Sequence, residues 1–337
     1  ALSAKLAAQR VDAMLVTHLT HVRYLSGFSG SNGALLLHKD LEAQIATDGR
    51  YLTQIAAEVP DIEALDARAV GPDLLATVTG PKRVGFEADF VSVSQLQRLE
   101  KAAGEDVTLV PISGVIEDIR LVKEPYELER LREVAVIANT AFQELIDENL
   151  IRAGRTETEV AADLEYKMHL HGAERTSFET IVASGPNSAM PHHEPGARVL
   201  EEGDIVTVDF GAHAAGYNSD TTRTVIISDA DEFATEIYNI VLKAQLAGVA
   251  AAIPGAKLSD VDKACRDIIT DAGYGEYFVH STGHGVGLDL HEAPYAASSG
   301  QGELVEGMTL TVEPGIYVPG KGGVRIEDTL IITAGQP

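Results

Sequence analysis

A chain of 337 residues, 45% of them hydrophobic, is long enough for about two domains that bury cores of their own. The formal net charge of −25 repels polyphosphates and anionic lipid surfaces, so we expect neither a nucleic-acid nor a membrane partner. The longest apolar run, residues 246–253, is far shorter than the ~20 residues that cross a bilayer, and the single Cys265 cannot form an internal disulfide, so we expect a cytoplasmic protein.

Helical and strand patterns alternate along residues 1–118. Helices are predicted at residues 3–10, 50–58 and 94–103, and strands at residues 13–17, 33–37, 84–86 and 107–110. This alternation predicts an α/β domain. The glycine-rich residues 27–33 lack the Lys-Ser/Thr pair that completes a phosphate-binding loop, so we predict a turn-rich loop there.

A second region begins after a join near residues 117–124. Pro125 suits the first turn of a long helix that runs to about residue 149. Thr156 is predicted to cap the next helix, which ends near residue 171, and Glu159 completes a capping box with it. Two further helices are predicted at residues 232–252 and 257–273.

An internal repeat spans this second region. Residues 155–172 resemble residues 257–273, because each reads as a helix that ends at glycine, and a β segment and a histidine follow each of them. The strands that come next share one pattern, a Glu-Gly turn, an alternating run, an acid and a glycine, at residues 202–211 and 306–315. A duplication with a pseudo-twofold axis would bring the two acids, Asp209 and Glu313, near that axis.

Acids that converge repel one another unless positive charge lies between them. Three further groups complete the candidate set: Asp220, His284 and Glu327. Four carboxylates and one imidazole can share two divalent cations, and so oxygen-rich a set favours manganese, cobalt or iron(II) over zinc. Two such ions suit the hydrolysis of an amide bond.

Each member of this set also has a simpler interpretation. Asp209 could merely end a strand, Asp220 could be an acid of a hairpin turn, and His284 could be a loop histidine. The other two acids could be surface groups, with Arg325 as a salt-bridge partner. The metal-site hypothesis is favoured because the acids end strand-like runs that the repeat brings together.

The complete set resembles the pita-bread metallopeptidases, the family of methionine aminopeptidase, aminopeptidase P and prolidase. The resemblance covers nearly the whole chain and rests on five pieces of sequence, residues 208–211, 219–223, 280–291, 313–317 and 325–328. It implies a small creatinase-type α/β domain at residues 1–118. It also implies a pita-bread catalytic domain with a pseudo-twofold repeat at residues 119–337.

The resemblance implies a role for each candidate ligand at its matching position. Asp220 would be a bidentate ligand, and Asp209 and Glu327 would bridge two ions. His284 would bind one ion. Glu313 would be a ligand and also the group that carries a proton from the attacking water to the leaving nitrogen. The implied cofactor is a pair of divalent ions, Mn²⁺ in the first place, with Co²⁺ or Fe²⁺ as alternatives and Zn²⁺ less favoured.

Further matching positions are implied to contact the substrate. His192 corresponds to a substrate-contacting histidine and is preferred over its neighbour His193. His291 would stabilise the tetrahedral intermediate as a hydrogen-bond donor, and His280 would line the pocket for the residue after the cut. Two residues match positions near the distal end of the substrate, Tyr317 and Arg325.

The resemblance favours a proline-directed exopeptidase of the aminopeptidase P and prolidase branch. Methionine aminopeptidases generally lack a domain like residues 1–118, and creatinase lacks the ligand set. The imide nitrogen before proline has no hydrogen to donate, which makes a dedicated pocket physically sensible. The expected substrates are Xaa-Pro dipeptides or short peptides, with the length preference left open, and a homodimer is expected because the family often closes the site with a neighbouring subunit.

Two alternatives stay open at this point. The chain could be an aminopeptidase of another N-terminal specificity, or a non-catalytic binding protein built on the same scaffold. Relatives of the second kind usually lose metal ligands. Because all five positions are filled here, the enzyme is the favoured hypothesis.

Overall fold

The computed structural model describes residues 2–80 and 82–335, which form two compact units. The first unit extends to Arg120 and the second begins at Leu121. The domain ranges 1–118 and 119–337 stay a prediction, and they include residues 1, 81, 336 and 337, which lie outside the described residues. Each unit is described by itself.

The first unit is built on a six-stranded sheet. Its described strands are β1 (Ala13–Val16), β2 (Ala34–His38), β3 (Ala43–Thr47), β4 (Glu63–Asp66), β5 (Lys82–Glu87) and β6 (Val107–Ile112). The strand order is β4-β3-β2-β1-β5-β6, in which β2 runs antiparallel to both neighbours and the other pairs are parallel. Parallel pairs need crossover connections, and helices supply them here.

Short helices connect these strands. In the described part of the unit they are α1 (Leu2–Ala8), α2 (Leu19–Ser26), α3 (Leu52–Glu58), α4 (Val70–Leu75), α5 (Val93–Ala102) and α6 (Glu117–Arg120). The α/β prediction is confirmed, and the predicted elements correspond to α1, α3, α5, β1, β2, β5 and β6. The sequence pattern missed α2, α4, α6, β3 and β4. Three of the four β4 residues are exposed, so that strand shows no apolar period.

Both faces of this sheet are covered. In β2, Leu35 and Leu37 pack in one apolar cluster, whereas Ala34 and Leu36 pack in another. Alternate side chains of a strand point to opposite faces, so the two clusters lie on the two sides of the sheet.

The glycine-rich segment at residues 27–33 is shaped by one buried ring. Phe28 is 1% exposed. A Cβ added at Gly30 would overlap that ring, and one added at Gly33 would lie 3.0 Å from it. These glycines therefore make room for Phe28, which explains the composition of the loop without a phosphate ligand.

The second unit contains four long helices and many short strands among its described residues. The helices are α7 (Pro125–Asp147), α8 (Glu157–Leu170), α9 (Glu232–Ala251) and α10 (Leu258–Asp271). The strands are β7 (Arg175–Thr176), β8 (Ile181–Ser184), β9 (Ile205–Phe210), β10 (Ala212–Ala214), β11 (Tyr217–Asn218), β12 (Thr221–Ile226), β13 (Gly283–Gly285), β14 (Glu292–Ala296), β15 (Thr309–Val312), β16 (Gly315–Val318), β17 (Gly322–Arg325) and β18 (Asp328–Ile331). All four helices were predicted to within a few residues.

Two apolar cores divide the unit into halves. In the first half, Leu131 of α7 and Leu164 of α8 pack with Val208 of β9. In the second half, Val241 of α9 packs with residues of α10 and with Leu310 of β15. Each half therefore stacks a helix pair on strands, and the strands of each half carry an acid at or just beyond their ends.

Local geometry also repeats between the halves. Isolated β-bridges join Thr156 to Val199 in the first half and Lys257 to Glu303 in the second. The glycines before β9 and β15 are both left-handed, with φ of 85° at Gly203 and 89° at Gly307. The predicted capping box at Thr156 is present, whereas the side chain of Lys257 does not cap α10.

Cys265 is buried in the core of the second half, as expected from its place on α10. Its Sγ donates to the carbonyl oxygen of Ala244 at 3.2 Å. Burial raises the pKa of this thiol to about 12, so it stays protonated and unreactive. In the described residues no helix combines the length and the apolar character needed to span a bilayer.

We predict that Gly283→Ala destabilises the second unit by about 3 kcal/mol, because an added Cβ would overlap the carbonyl oxygen of Thr311 and push β13 away from β15. Thermal unfolding followed by circular dichroism measures the effect. The control is Gly335→Ala, where no atom of the described residues, its chain neighbours apart, lies within 4 Å of the added Cβ. Equal melting temperatures for the two variants would contradict the close packing of β13 on β15.

Candidate metal centre

Four of the five predicted metal ligands line one large cavity of the second unit. The cavity has a volume of about 1080 Å³, and its wall includes Asp209, Asp220, His284 and Glu313. Glu327 is 1% exposed and belongs to the same cluster of donors. Four other predicted site residues also line the cavity: His192, His280, His291 and Arg325.

Backbone hydrogen bonds that involve strands and the short segments next to them bring these ligands together. Asp209 of β9 is paired in register with Thr222 of β12. The Glu327 N–H donates to the carbonyl of Thr222 at 3.2 Å, and the Glu313 N–H donates to that of Thr282 at 2.8 Å. Among the described strands, β9 and β15 are not hydrogen-bonded to each other. The two acids therefore converge through these cross-links rather than through neighbouring strands.

The donor atoms fall into three overlapping groups, and within each group they lie within 4.8 Å of one another. The groups are Asp209 with Asp220 and Glu327, His284 with Glu313 and Glu327, and Asp220 with His284 and His291. Glu327 is shared by the first two groups, as a carboxylate between two cations would be. The third group includes His291, for which the resemblance implies a role towards substrate.

Mutual repulsion and burial raise the pKa of three of the four acids. The pKa values of Asp220 and Glu327 lie well above their usual range, first because of burial and then because of neighbouring carboxylates. Burial also raises the pKa of Asp209, although the charge of Arg325 opposes it. Burial acts on Glu313 in the same sense, but its hydrogen bond to His284 and the charge of that ring lower the pKa overall.

Two buried carboxylate oxygens test whether cations fit this cluster. Among the described residues, Asp209 Oδ1 and Glu327 Oε1 have no hydrogen-bond partner. A buried polar atom left in that state costs on the order of 1–3 kcal/mol, and more when it is charged. Divalent cations would bind these oxygens and also relieve the repulsion, and the mixed oxygen and imidazole donors suit such ions.

Arg325 pairs with Asp209 rather than with Glu327. Its Nη2 lies 2.7 Å from Asp209 Oδ2, and its Nη1 donates to the Tyr317 hydroxyl at 2.9 Å. Glu327 instead accepts a hydrogen bond from Thr222 Oγ1 at 2.7 Å. The simpler interpretation of Glu327 as a surface partner of Arg325 is therefore wrong, because both side chains are buried and bind other groups.

His284 directs one ring nitrogen toward the acids. Its Nδ1 lies 3.0 Å from the Gly285 carbonyl, so this nitrogen carries the hydrogen that donates to that oxygen. Its Nε2 lies 3.3 Å from Glu313 Oε1 and 3.5 Å from Asp220 Oδ2. Burial lowers the pKa of His284, but the hydrogen bond and charge of Glu313 outweigh it and raise the pKa overall. A cation at Nε2 would displace the proton held there.

The other histidines surround this centre. The His291 ring lies 4.3 Å from the His284 ring, centroid to centroid, and its pKa is lowered by burial and by the charge of His284. His280 Nε2 lies 2.8 Å from the Tyr317 hydroxyl, and burial lowers its pKa as well. Both rings are therefore neutral at neutral pH. His192 is exposed on the cavity wall.

Comparison with known families decides the class of this chain. Residues 129–334 match the model of metallopeptidase family M24, and residues 1–122 match the Creatinase/Prolidase N-terminal domain. The chain belongs to metallopeptidase family M24. Both predicted parts of the fold, the creatinase-type domain and the catalytic domain, are confirmed by these matches. Membership in a metallopeptidase family implies divalent metal ions, in agreement with the donor set.

Relatives of this M24 peptidase match it along nearly its whole length. The Xaa-Pro dipeptidase of Pyrococcus horikoshii is 38% identical over 326 residues, which cover 96% of this chain and 90% of that protein. The solved Xaa-Pro dipeptidase of Bacillus anthracis is 41% identical, with a TM-score of 0.93 over 99% of this chain and 93% of that one. The solved X-Pro aminopeptidase of Thermotoga maritima is 36% identical, with a TM-score of 0.88 over 98% and 93% of the two chains.

Sequence reasoning missed two residues of α10 that support this M24 site. Asp262 is buried, and its Oδ1 accepts hydrogen bonds from the Thr282 N–H at 3.2 Å and from the Thr282 hydroxyl at 2.9 Å. Arg266 is bound to Asp262 and also donates to the His280 carbonyl at 2.8 Å. In the sequence this pair looks like an ordinary surface ion pair at i and i+4, and only burial reveals that it holds the segment before His284.

We predict that Glu327→Gln stabilises the chelator-treated protein at pH 7.5, because the variant removes a buried acid whose pKa is raised in the folded state. The melting temperature should rise by a few degrees, on the scale of roughly 2–4 °C per kcal/mol. Added Mn²⁺ should then stabilise the wild-type protein but not the variant. Asp328→Asn, next to the cluster, is the matched control and should keep the response to Mn²⁺.

The sign of the pH dependence follows from the same shifts. Acids with raised pKa bind more protons in the folded than in the unfolded chain, so their contribution to stability is complete below about pH 4 and is lost as the pH rises through the folded pKa. Chelated wild-type protein should therefore gain stability between pH 7.5 and pH 5.5, and Glu327→Gln should gain less. A chelated variant that melts below chelated wild-type protein at pH 7.5 would refute this account.

Proposed function

We propose that this M24 peptidase hydrolyses the Xaa-Pro bond at the N-terminus of dipeptides or short peptides with two divalent ions, Mn²⁺ in the first place. The observation that supports it most is the convergence of four carboxylates and His284 in one cluster of donors, in which two buried carboxylate oxygens lack partners among the described residues. The names of its full-length relatives support the choice of proline-containing substrates.

The proposed ligands are all buried or half-buried, and their ligand atoms lie close to one another. They are Asp209, Asp220, His284, Glu313 and Glu327. When bound, two divalent ions supply polarisation of the scissile carbonyl and a lowered pKa for the attacking water. The oxygen-rich donor set supports Mn²⁺, with Co²⁺ or Fe²⁺ as alternatives.

Glu313 is proposed to move the proton during hydrolysis. Its Oε1 accepts a hydrogen bond from Thr311 Oγ1 at 3.0 Å, which holds the carboxylate in place. Its pKa is lowered overall, so the group is ionised at neutral pH and can accept a proton from the attacking water. Glu313 then delivers this proton to the imide nitrogen of proline, which needs one to leave as an amine.

The substrate is proposed to lie against the histidines of the cavity wall. His291, neutral and exposed to the cavity, donates a hydrogen bond to the oxygen that becomes negative in the tetrahedral intermediate. His192 contacts the substrate from the segment between β8 and β9. His280 lines the pocket for the proline ring. Tyr317 orients this pocket through its hydroxyl, which is hydrogen-bonded to His280. The Arg325 guanidinium donates to the same hydroxyl and holds it in place.

Three sequence-based expectations accompany this proposal. A homodimer, a cytoplasmic location and the absence of nucleic-acid or membrane partners stay predictions. The length of the substrate is a separate question, because the relatives include both dipeptidases and an X-Pro aminopeptidase.

We predict that the Mn²⁺-loaded enzyme cleaves Ala-Pro roughly 100-fold more efficiently than Ala-Ala. A pocket can make this distinction because proline differs from alanine in the shape of its ring and in an imide nitrogen that carries no hydrogen. Release of free amino acid, followed by chromatography, gives kcat/KM for each peptide. Ala-Pro-Ala tests the length preference, and a dipeptidase should cleave it poorly. Failure on Ala-Pro and on Ala-Pro-Ala alike would reject proline specificity.

We predict that Glu313→Ala abolishes turnover, with a loss of kcat of roughly 10²–10⁴ or more, because the variant lacks both a ligand and the proton carrier. Circular dichroism should show a retained fold. Glu306→Ala, an exposed acid seven residues earlier, is the control and should keep full activity. Near-wild-type turnover in Glu313→Ala would contradict the role of Glu313 as metal ligand and proton carrier.

A further inference from the structure

A second buried acid lies on α8, outside the cluster of candidate metal ligands. Glu157 is fully buried at the first position of that helix. Its Oε1 accepts hydrogen bonds from the Ser184 N–H at 2.8 Å, the Ser184 hydroxyl at 2.7 Å and Asn187 Nδ2 at 3.0 Å. Its Oε2 accepts from His193 Nε2 at 2.8 Å and from the Gly196 N–H at 3.1 Å.

We propose that Glu157 and His193 are positioning residues that hold the chain on both sides of His192 and so fix that histidine on the cavity wall. The proposal rests on the proposed function, in which His192 contacts the substrate. It adds two residues that touch neither substrate nor ion and act through His192.

The pattern of donors supports an anchor rather than a helix cap. The capping of α8 is already provided by Thr156 and Glu159, which bond each other's backbone N–H groups. The donors to Glu157 come instead from Ser184, Asn187, His193 and Gly196, which span the segment before and after His192. One carboxylate thus ties four points of the segment from the end of β8 to Gly196 to the start of α8.

The charge state of Glu157 fits this purpose. Burial raises its pKa, but hydrogen bonds from Asn187, His193 and Ser184 outweigh burial and lower the pKa overall. The group is therefore ionised at neutral pH, and His193 Nε2 carries the hydrogen that it donates to Oε2. Without that donor, Oε2 of a buried carboxylate would keep only the Gly196 N–H, so the bond is costly to break.

The two adjacent histidines have different environments as a result. The His193 side chain is 15% exposed and bound to Glu157, whereas His192 is exposed, although both line the cavity. The segment is also fixed four residues before His192, where the Gly323 N–H donates to Ser188 Oγ at 2.9 Å. Burial is the first cause of the lowered pKa of His280, and the charge of His192 is a smaller cause. The two side chains therefore interact electrostatically.

The test is a double-mutant cycle on the Mn²⁺-loaded full chain with Ala-Pro as substrate. His193→Phe keeps a ring but removes the donor, and we expect kcat/KM to fall roughly tenfold, since small misplacements of a positioned group cost this much or more. In the His192→Ala background the same change should cost nothing further. His193→Gln, which restores an N–H donor, should recover most of the activity.

A matched control exists on the surface. His171 Nε2 lies 2.8 Å from Glu144 Oε1, the same distance as in the His193 pair, but neither residue lines the cavity. His171→Phe should leave kcat/KM unchanged. The metal content of every variant should match that of the wild-type protein, whereas the melting temperature of His193→Phe should fall, because the buried Glu157 Oε2 loses a donor, and His193→Gln should restore it.

A second measurement does not depend on turnover. In protein labelled with ¹³C at histidine Cε1, the signal of His192, assigned by its loss in His192→Ala, should shift or broaden in His193→Phe but not in His193→Gln. An unchanged signal in His193→Phe, or equal losses of kcat/KM from that change with and without His192, would overturn the anchor. Wild-type protein that fails on both Ala-Pro and Ala-Pro-Ala while the signal still shifts would refute the proposed function and leave the anchor supported.

Discussion

Four carboxylates within one cluster set the central electrostatic constraint on this molecule. Burial is the first cause that raises the pKa values of Asp220 and Glu327 well above the usual range, and the weakly screened repulsion between the carboxylates adds to it. The protein itself supplies two positive partners: Arg325 pairs with Asp209, and His284 pairs with Glu313. Two protein cations do not balance four acids, so a pair of divalent ions is the simplest remaining source of positive charge.

The duplicated architecture explains how such an unfavourable cluster is held. Each half presents an acid from a strand that is backed by its own helix pair and core, so neither acid can withdraw without breaking a core. Backbone bonds from the Glu327 N–H to the Thr222 carbonyl of β12, and from the Glu313 N–H to the Thr282 carbonyl just before β13, tie the segments that carry these two acids to other parts of the unit. The folded backbone therefore holds the ligands close together, which is the preorganisation that a catalytic metal site needs.

Residues whose roles depend on local pattern could be predicted from the sequence. Asp209 and Glu313 stand out because each follows an alternating run, and Thr156 with Glu159 forms a capping box that spacing alone identifies. The partner of Arg325 could not be predicted, because Glu327 is two residues away in sequence whereas Asp209 is brought near only by the packing of strands. For the same reason Asp262 and Glu157 read as surface acids of amphipathic helices, and short polar β4 carries no period to detect.

Burial by itself does not distinguish the two kinds of acid in this site; the number of donors does. Glu157 and Glu327 are both buried, yet the pKa of Glu157 is lowered overall and that of Glu327 is raised. Glu157 receives five hydrogen bonds, while Glu327 receives one from Thr222 and keeps an oxygen without a partner among the described residues. A buried acid saturated by protein donors is a structural anchor, since it has no capacity left for an ion. A buried acid with an unsatisfied oxygen keeps that capacity, and a cation bound to this oxygen would supply the missing partner.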